Sequence, residues 1–316
     1  MSRTWLISAA AAAALLIGLG GVQAADKKLV VGFSQIGSES GWRAAETKTA
    51  KTEAEKRGID LKISDAQQKQ ENQIKAVRSF VAQGVDAIFI APVVATGWDS
   101  VLKEAKEAKI PVVLLDRQIE TRDPGLYMTA VTSDTVLEGR VAGEWLAKQT
   151  GGTCNVVELQ GTVGSSPAIN RKKGFDEVVA KSPGMKIVRT QSGDFTRAKG
   201  KEVMEAFLKS EGKNINVLYA HNDDMAIGAI QAIEEAGLKP GKDILVVSID
   251  GVRGAFEAML QGKLNVTVEC NPLLGPQLIQ TAQMVKAGKP VPKRITVNEG
   301  VFPAEVAAKE FPNRKY

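Results

Sequence analysis

From residue 29 onward the chain alternates short, β-branched apolar runs with longer polar stretches in which apolar positions recur at helical spacing. Runs such as Ala87-Ile88-Phe89-Ile90 and Val112-Val113-Leu114-Leu115 are apolar on both faces, as strands buried in a parallel sheet are. They predict strands at 29–33, 60–64, 87–91, 111–115 and 128–131, with helices between them at 41–57, 71–83, 97–108 and 134–149. Gly58, Gly84 and the Lys109–Pro111 junction supply stop signals for three of these helices. The Gly151-Gly152 pair breaks the pattern, and a second series follows: strands at 155–159, 186–191, 217–220, 244–249 and 265–269, with helices near 168–180, 197–210, 223–235 and 252–260. Strand–helix alternation is the mark of βαβ units, so two series predict an α/β protein of two doubly wound parallel-sheet lobes. A further helix at 273–287 and strand at 294–297 follow, and periodicity alone assigns them to neither lobe. No long Pro/Ser linker, repeat or low-complexity tract separates the series, which predicts tightly joined lobes.

The first two dozen residues depart from this pattern. Arg3 is their one charge, an alanine-rich apolar run extends from Trp5 to Gly21, and Val22-Gln23-Ala24 has the small residues of a cleavage site. The segment reads as a signal peptide cut between Ala24 and Ala25, with a retained anchor as the alternative, since the run is near bilayer length. An exported, periplasmic protein is expected. A length of 316 residues suits two domains, and 44% hydrophobic with 24% charged residues suits a soluble globular chain. One histidine and two cysteines exclude multi-His and four-cysteine metal sites, and no metal or cofactor is expected. The net charge of +5 falls to +4 without Arg3, and the basic residues are interspersed with acids, so no nucleic-acid partner is expected.

Ligands of open parallel sheets bind beyond the carboxyl ends of strands. Those positions carry Glu39, Ser40, Gly41, Trp42 and Arg43 after the first strand, and Asp116 and Arg117 after the fourth. In the second series they carry Arg171, Phe195, Asn222 and Asp250. Carboxylates and an amide for vicinal hydroxyls, guanidinium forks and an aromatic face are what a polyhydroxylated ring requires. Each residue also has a plainer reading: Asp250-Gly251 as a turn, Asp116-Arg117 as a surface ion pair, Asn222 as a helix N-cap, Trp42 as core.

Enzyme motifs are missing. There is no G-x-S-x-G elbow or G-x-G-x-x-G turn, and no Gly-Lys-Ser/Thr follows Gly161-Thr162-Val163-Gly164. His221 has no visible nucleophile beside it and reads as structural. No enzymatic activity is expected.

Taken together, Leu115-Asp116-Arg117, Arg171-Lys172-Lys173-Gly174-Phe175, His221-Asn222-Asp223 and Asp250-Gly251 resemble the periplasmic sugar-binding proteins of the ribose/galactose class that serve ABC importers. The Glu39-Ser40-Gly41-Trp42-Arg43 segment, with 67–75 and 192–197, is similar to the galactofuranose-binding branch of that class. The likeness covers nearly all of the chain after the signal and is weakest after about residue 271.

The resemblance implies a type I periplasmic binding fold with a three-segment hinge: an N-terminal lobe of 25–132 plus 272–300 and a C-terminal lobe of 133–271 plus 301–316. It implies that the eleven strand-end residues named above contact a monosaccharide, galactofuranose foremost, and that a monomer passes it to a membrane permease. It also implies a disulfide partner for Cys154 at position 216, which is Asn here, so no disulfide is expected. Cys270 falls where related proteins with other sugars place a polar contact. The alternatives are another aldose such as ribose or galactopyranose, and the effector domain of a cytosolic sugar-responsive repressor, which would need a DNA-binding helix pair where the signal stands.

Overall fold

Residues 28–316 are described by the computed structural model, and the expected signal segment with its Ala24–Ala25 junction lies outside the described residues. The first series forms β1 (Val30–Gln35), α1 (Gly41–Lys56), β2 (Asp60–Asp65), α2 (Gln70–Gln83), β3 (Ala87–Ile90), α3 (Asp99–Glu107), β4 (Val112–Leu115) and β5 (Thr129–Thr132). The second forms α4 (Thr135–Thr150), β6 (Thr153–Gln160), α5 (Ser166–Val179), β7 (Gly184–Ser192), α6 (Arg197–Glu211), β8 (Val217–Ala220), α7 (Asp223–Glu235), β9 (Leu245–Asp250), α8 (Arg253–Leu260) and β10 (Val266–Glu269). Then come α9 (Gly275–Lys286), β11 (Arg294–Thr296), β12 (Val301–Pro303) and α10 (Ala307–Glu310).

Two six-stranded sheets result, in the orders β11-β5-β4-β3-β1-β2 and β12-β10-β9-β8-β6-β7. Every pairing is parallel except β10 with β12. The two orders are equivalent, so each sheet reverses its winding at the same place, between β1 and β3 in one and β6 and β8 in the other. That switch point opens a crevice at the strands' carboxyl ends. The chain passes between sheets three times: after β5, after β10, and between β11 and β12.

The doubly apolar strands explain the layering. Phe33, Phe89, Val113 and Leu115 point to one face of the first sheet, and Ile88, Ile90, Val112 and Leu114 to the other, each face covered by its own cluster. The second sheet is buried in one continuous core that includes Phe175, Tyr219 and Phe256, and Trp42 from α1 joins it across the crevice.

Two details differ from the sequence reading, and one open assignment is made. Helix α3 starts at Asp99, because Gly97 at φ +85° lies outside helical space. The short β12 strand was not expected, since Val-Phe-Pro neither alternates nor tolerates a proline in a sheet interior; it survives as an edge strand. The strand expected at 294–297 pairs with β5 in the first sheet, the assignment periodicity left open.

Candidate ligand-binding site

The loop after β1 delivers Glu39 and Ser40 to the crevice, and Ser40 caps α1 by accepting from the Arg43 N–H at 3.1 Å. Arg43 is thereby fixed in the first turn, where it donates to Glu39 at 3.1 Å, Glu46 at 2.5 Å and, across the sheet, Asp116 at 2.7 Å. Burial works against its charge, but Glu46, Asp116 and Glu39 together hold the guanidinium pKa above its ordinary value. Burial pushes the Glu46 carboxyl up to about 7 against the pull of Arg43.

At the end of β4, Asp116 takes φ +62° and Arg117 turns back so that its NH1 donates to the Val93 carbonyl at 2.9 Å. Burial, reinforced by repulsion from Arg43, lowers the Arg117 pKa to about 10. The surface ion pair considered from sequence is therefore a buried one: Asp116 and Arg117 are 6% and 3% exposed.

The second lobe answers with Arg171, which sits one turn into α5. Its Nε donates to Glu138 at 2.7 Å and its NH1 to the His221 carbonyl at 2.6 Å, while its NH2 lies 3.7 Å from Asp250 Oδ1. Asp250 ends β9 at φ +129°, and burial holds its carboxyl well above the usual range, with Arg171 opposing. Phe195 follows β7 at φ +59°, and its ring covers Gly161 so closely that a Cβ there would stand 1.8 Å from it. The guanidiniums of Arg117 and Arg171 lie 5.1 and 5.9 Å from the centre of that ring. Asn222 caps α7 through Met225 N–H at 3.0 Å and donates to the Phe195 carbonyl at 3.1 Å, so the cap reading holds, and the same residue also lines the cavity.

These side chains converge on one small cavity between the two sheets. Glu39, Ser40, Trp42, Arg43, Asp116 and Arg117 line it from one sheet, and Arg171, Phe195, Asn222 and Asp250 from the other. Gly41 does not line the cavity. Its N–H turns away from the cavity to Asp224 Oδ2 at 3.0 Å, because a first-turn amide points along the helix axis rather than sideways.

Sequence reasoning missed Pro167, which lines the cavity at the start of α5, and the carboxylates Glu46 and Glu138 that hold the two central arginines. The spacing of Glu46 three residues after Arg43 was a readable signal; nothing local marks Glu138. Cys270 also lines the cavity, and its carbonyl accepts from the Trp42 indole at 2.5 Å.

His221 is fully buried, with Nε2 3.0 Å from Glu158, and burial lowers its pKa. Cys154 and Cys270 are both free thiols. Glu138, Cys270 and Glu299 bring potential metal ligands within 4.8 Å of one another. Glu138 is already bound by Arg171, and Glu299 already accepts from Ser133 and from the Asn271 N–H.

Two equivalent doubly wound lobes with a small polar cavity between their strand ends define a two-lobed solute-binding protein. Residues 31–290 match the family model described as periplasmic binding protein domain, and the chain belongs to that family. Over 290 residues, 91% of either chain, it is 63% identical to the galactofuranose-binding protein YtfQ of Escherichia coli K12. A crystal structure of a galactofuranose binding protein superposes with a TM-score of 0.89 at 63% identity, covering 91% of this chain and 98% of that one. The binding component of the arabinose ABC transporter of Shewanella sp. ANA-3, bound to α- and β-L-arabinofuranose, gives 0.88 at 57% identity, covering 90% and 95%. Among the described residues no helix is long and apolar enough to cross a membrane.

Proposed function

We propose that this chain is an exported protein that closes on a monosaccharide in its furanose form, galactofuranose, and delivers it as a monomer to the permease of an ABC importer. The observation that carries the reading is the cavity's charge balance. Glu39, Asp116 and Asp250 face Arg43, Arg117 and Arg171, three acids against three bases, which suits an uncharged ligand rich in hydroxyls. Glu39 Oε2 and Arg117 Nε are buried without a hydrogen-bond partner, an acceptor and a donor ready for hydroxyl groups. The names of the similar proteins supply the ring form and the sugar.

In this reading the lobes are 25–132 plus 272–300 and 133–271 plus 301–316, the signal is removed at Ala24–Ala25, and the ten cavity residues named above contact the sugar while Gly41 does not. In this reading the protein binds the sugar without turnover. Ligand contacts from both sheets exist together only when the crevice is shut, so the sugar shifts the population toward closure.

Titration calorimetry of the mature protein with equilibrated galactose, which contains the furanose, tests this. Binding near micromolar Kd, about 8 kcal/mol, is expected. Asp250→Ala, which leaves Arg171 short of a partner, should weaken it by at least ~30-fold. An Asp250→Ala protein that binds as wild type does would refute the site.

A further inference from the structure

Besides the Trp42 indole bond to the Cys270 carbonyl beside the second crossing, three hydrogen bonds join the two lobes away from the chain crossings among the described residues. Ala95 N–H donates to the Gly164 carbonyl at 2.8 Å, Gln118 N–H to Ser166 Oγ at 2.8 Å, and Gly41 N–H to Asp224 Oδ2 at 3.0 Å. Only the last uses a charged side chain.

Asp224 is not a cavity residue, yet it is 5% exposed and its geometry is fixed on both oxygens. Oδ1 accepts from Nε and NH2 of Arg197 at 3.1 and 2.7 Å, which turns Oδ2 toward the start of α1. There it meets Gly41, the first residue of a 16-residue helix. That amide is one of the donors no carbonyl of its own helix can satisfy, and it lies at the positive end of the helix dipole. Ser40 satisfies the Arg43 amide and leaves the Gly41 amide over. A carboxylate of the second lobe thus caps a helix of the first, and it can do so only with the crevice shut. The same helix turn carries Trp42 and Arg43 into the cavity.

We propose that Asp224 is a closure latch: a positioning residue that sets how long a bound ligand is held without touching it, by docking the N-terminus of α1 when the lobes meet. The proposal rests on the sugar-binding reading above. Opening breaks the latch and closing remakes it, so its energy enters the release rate. The encounter of sugar with the open crevice precedes latching and is left alone.

Stopped-flow release and calorimetry with equilibrated galactose test the latch, with Asp224→Ala and Gly41→Pro as variants. Proline is favoured at the first helical position and deletes only the donated N–H, so α1 should form normally. Both variants should release sugar ~5–50-fold faster, with association within about twofold of wild type. The ligand-free melting temperature should not move for Gly41→Pro, which leaves the Asp224–Arg197 pair intact and so separates a latch from a merely structural contact. The double variant should be no worse than the stronger single one, because one contact is removed twice. If wild type binds while both variants release sugar at its rate, or their effects add, the latch is refuted and the sugar-binding reading stands. If wild type itself gives no heat with galactose, that reading falls and takes the latch with it.

Discussion

Arg43 and Arg171 pose the same physical problem in opposite lobes, each a guanidinium 3% exposed whose burial would cost several kcal/mol without partners. Each is answered by a carboxylate reached through helix geometry, Glu46 on α1 and Glu138 on α4, and by a second acid at a strand end, Asp116 and Asp250. The cavity wall is therefore a preassembled ionic lattice, and a hydroxyl, donor and acceptor at once, can enter it without adding charge. Asp116, Phe195 and Asp250 hold positive φ values that cost roughly 1–3 kcal/mol each, strain placed where a side chain must turn inward at a strand end. At this scale the strand-end rule made ten of the eleven named residues legible, because the ends of parallel strands are fixed by the apolar runs that precede them. It was silent on Glu138, whose partner is 33 residues away, and it named Gly41, which does not line the cavity and donates its N–H to Asp224.

Glu299 offers a residue-scale test with a definite sign. Its carboxylate accepts from Ser133 and the Asn271 N–H, tying together the three segments at which the chain passes between sheets. Burial, with repulsion from Glu138 and despite those donors and Arg171, raises its pKa to about 8. The folded protein thus holds this proton more tightly than the unfolded chain does. The stabilisation is complete below the ordinary carboxyl range and lost as pH rises through about 8. Thermal unfolding at pH 6 and 9 should show Glu299→Gln losing ~2–3 kcal/mol less than wild type across that interval. A parallel loss in both would remove Glu299 from the account.

Among the elements, the helix pairs α4–α5 and α6–α7 pack backbone to backbone, and glycines permit it. A Cβ at Gly139 would lie 2.0 Å from the Arg171 carbonyl, and one at Gly228 would lie 2.0 Å from that of Arg197. The first contact matters beyond stability, because α5 carries Arg171 and α4 carries its partner Glu138. Gly139→Ala should destabilise by ~1–3 kcal/mol in denaturant unfolding and also weaken sugar binding, since the pair moves apart. Gly228→Ala should destabilise comparably with a smaller effect on binding. Equal effects of the two on binding would contradict the coupling of α4–α5 packing to the site. Element type was readable nearly throughout, from runs buried on both faces and from Gly stops such as Gly84, which caps α2 at φ +61°. The short β12 was not, because three edge residues ending in proline carry no period; their pairing with β10 is imposed by the returning chain.

The whole molecule combines two sheets of equivalent order, and the equivalence produces the site. Each sheet has its switch point beside the other's, so the two sets of strand ends converge on one volume. Trp42 shows how fully the lobes engage: it belongs to α1 yet packs in the core of the second sheet, and its indole donates to Cys270. The chain belongs to the periplasmic binding protein family, and three acids facing three bases across the cavity suit a solute without net charge. The central claim is that this cavity accepts a furanose. Calorimetry comparing equilibrated galactose with methyl galactopyranoside, which cannot open to the five-membered ring, tests it most directly. The account predicts saturable binding of the first at near-micromolar Kd and no measurable heat with the second; equal binding of both, or binding of neither, would contradict it.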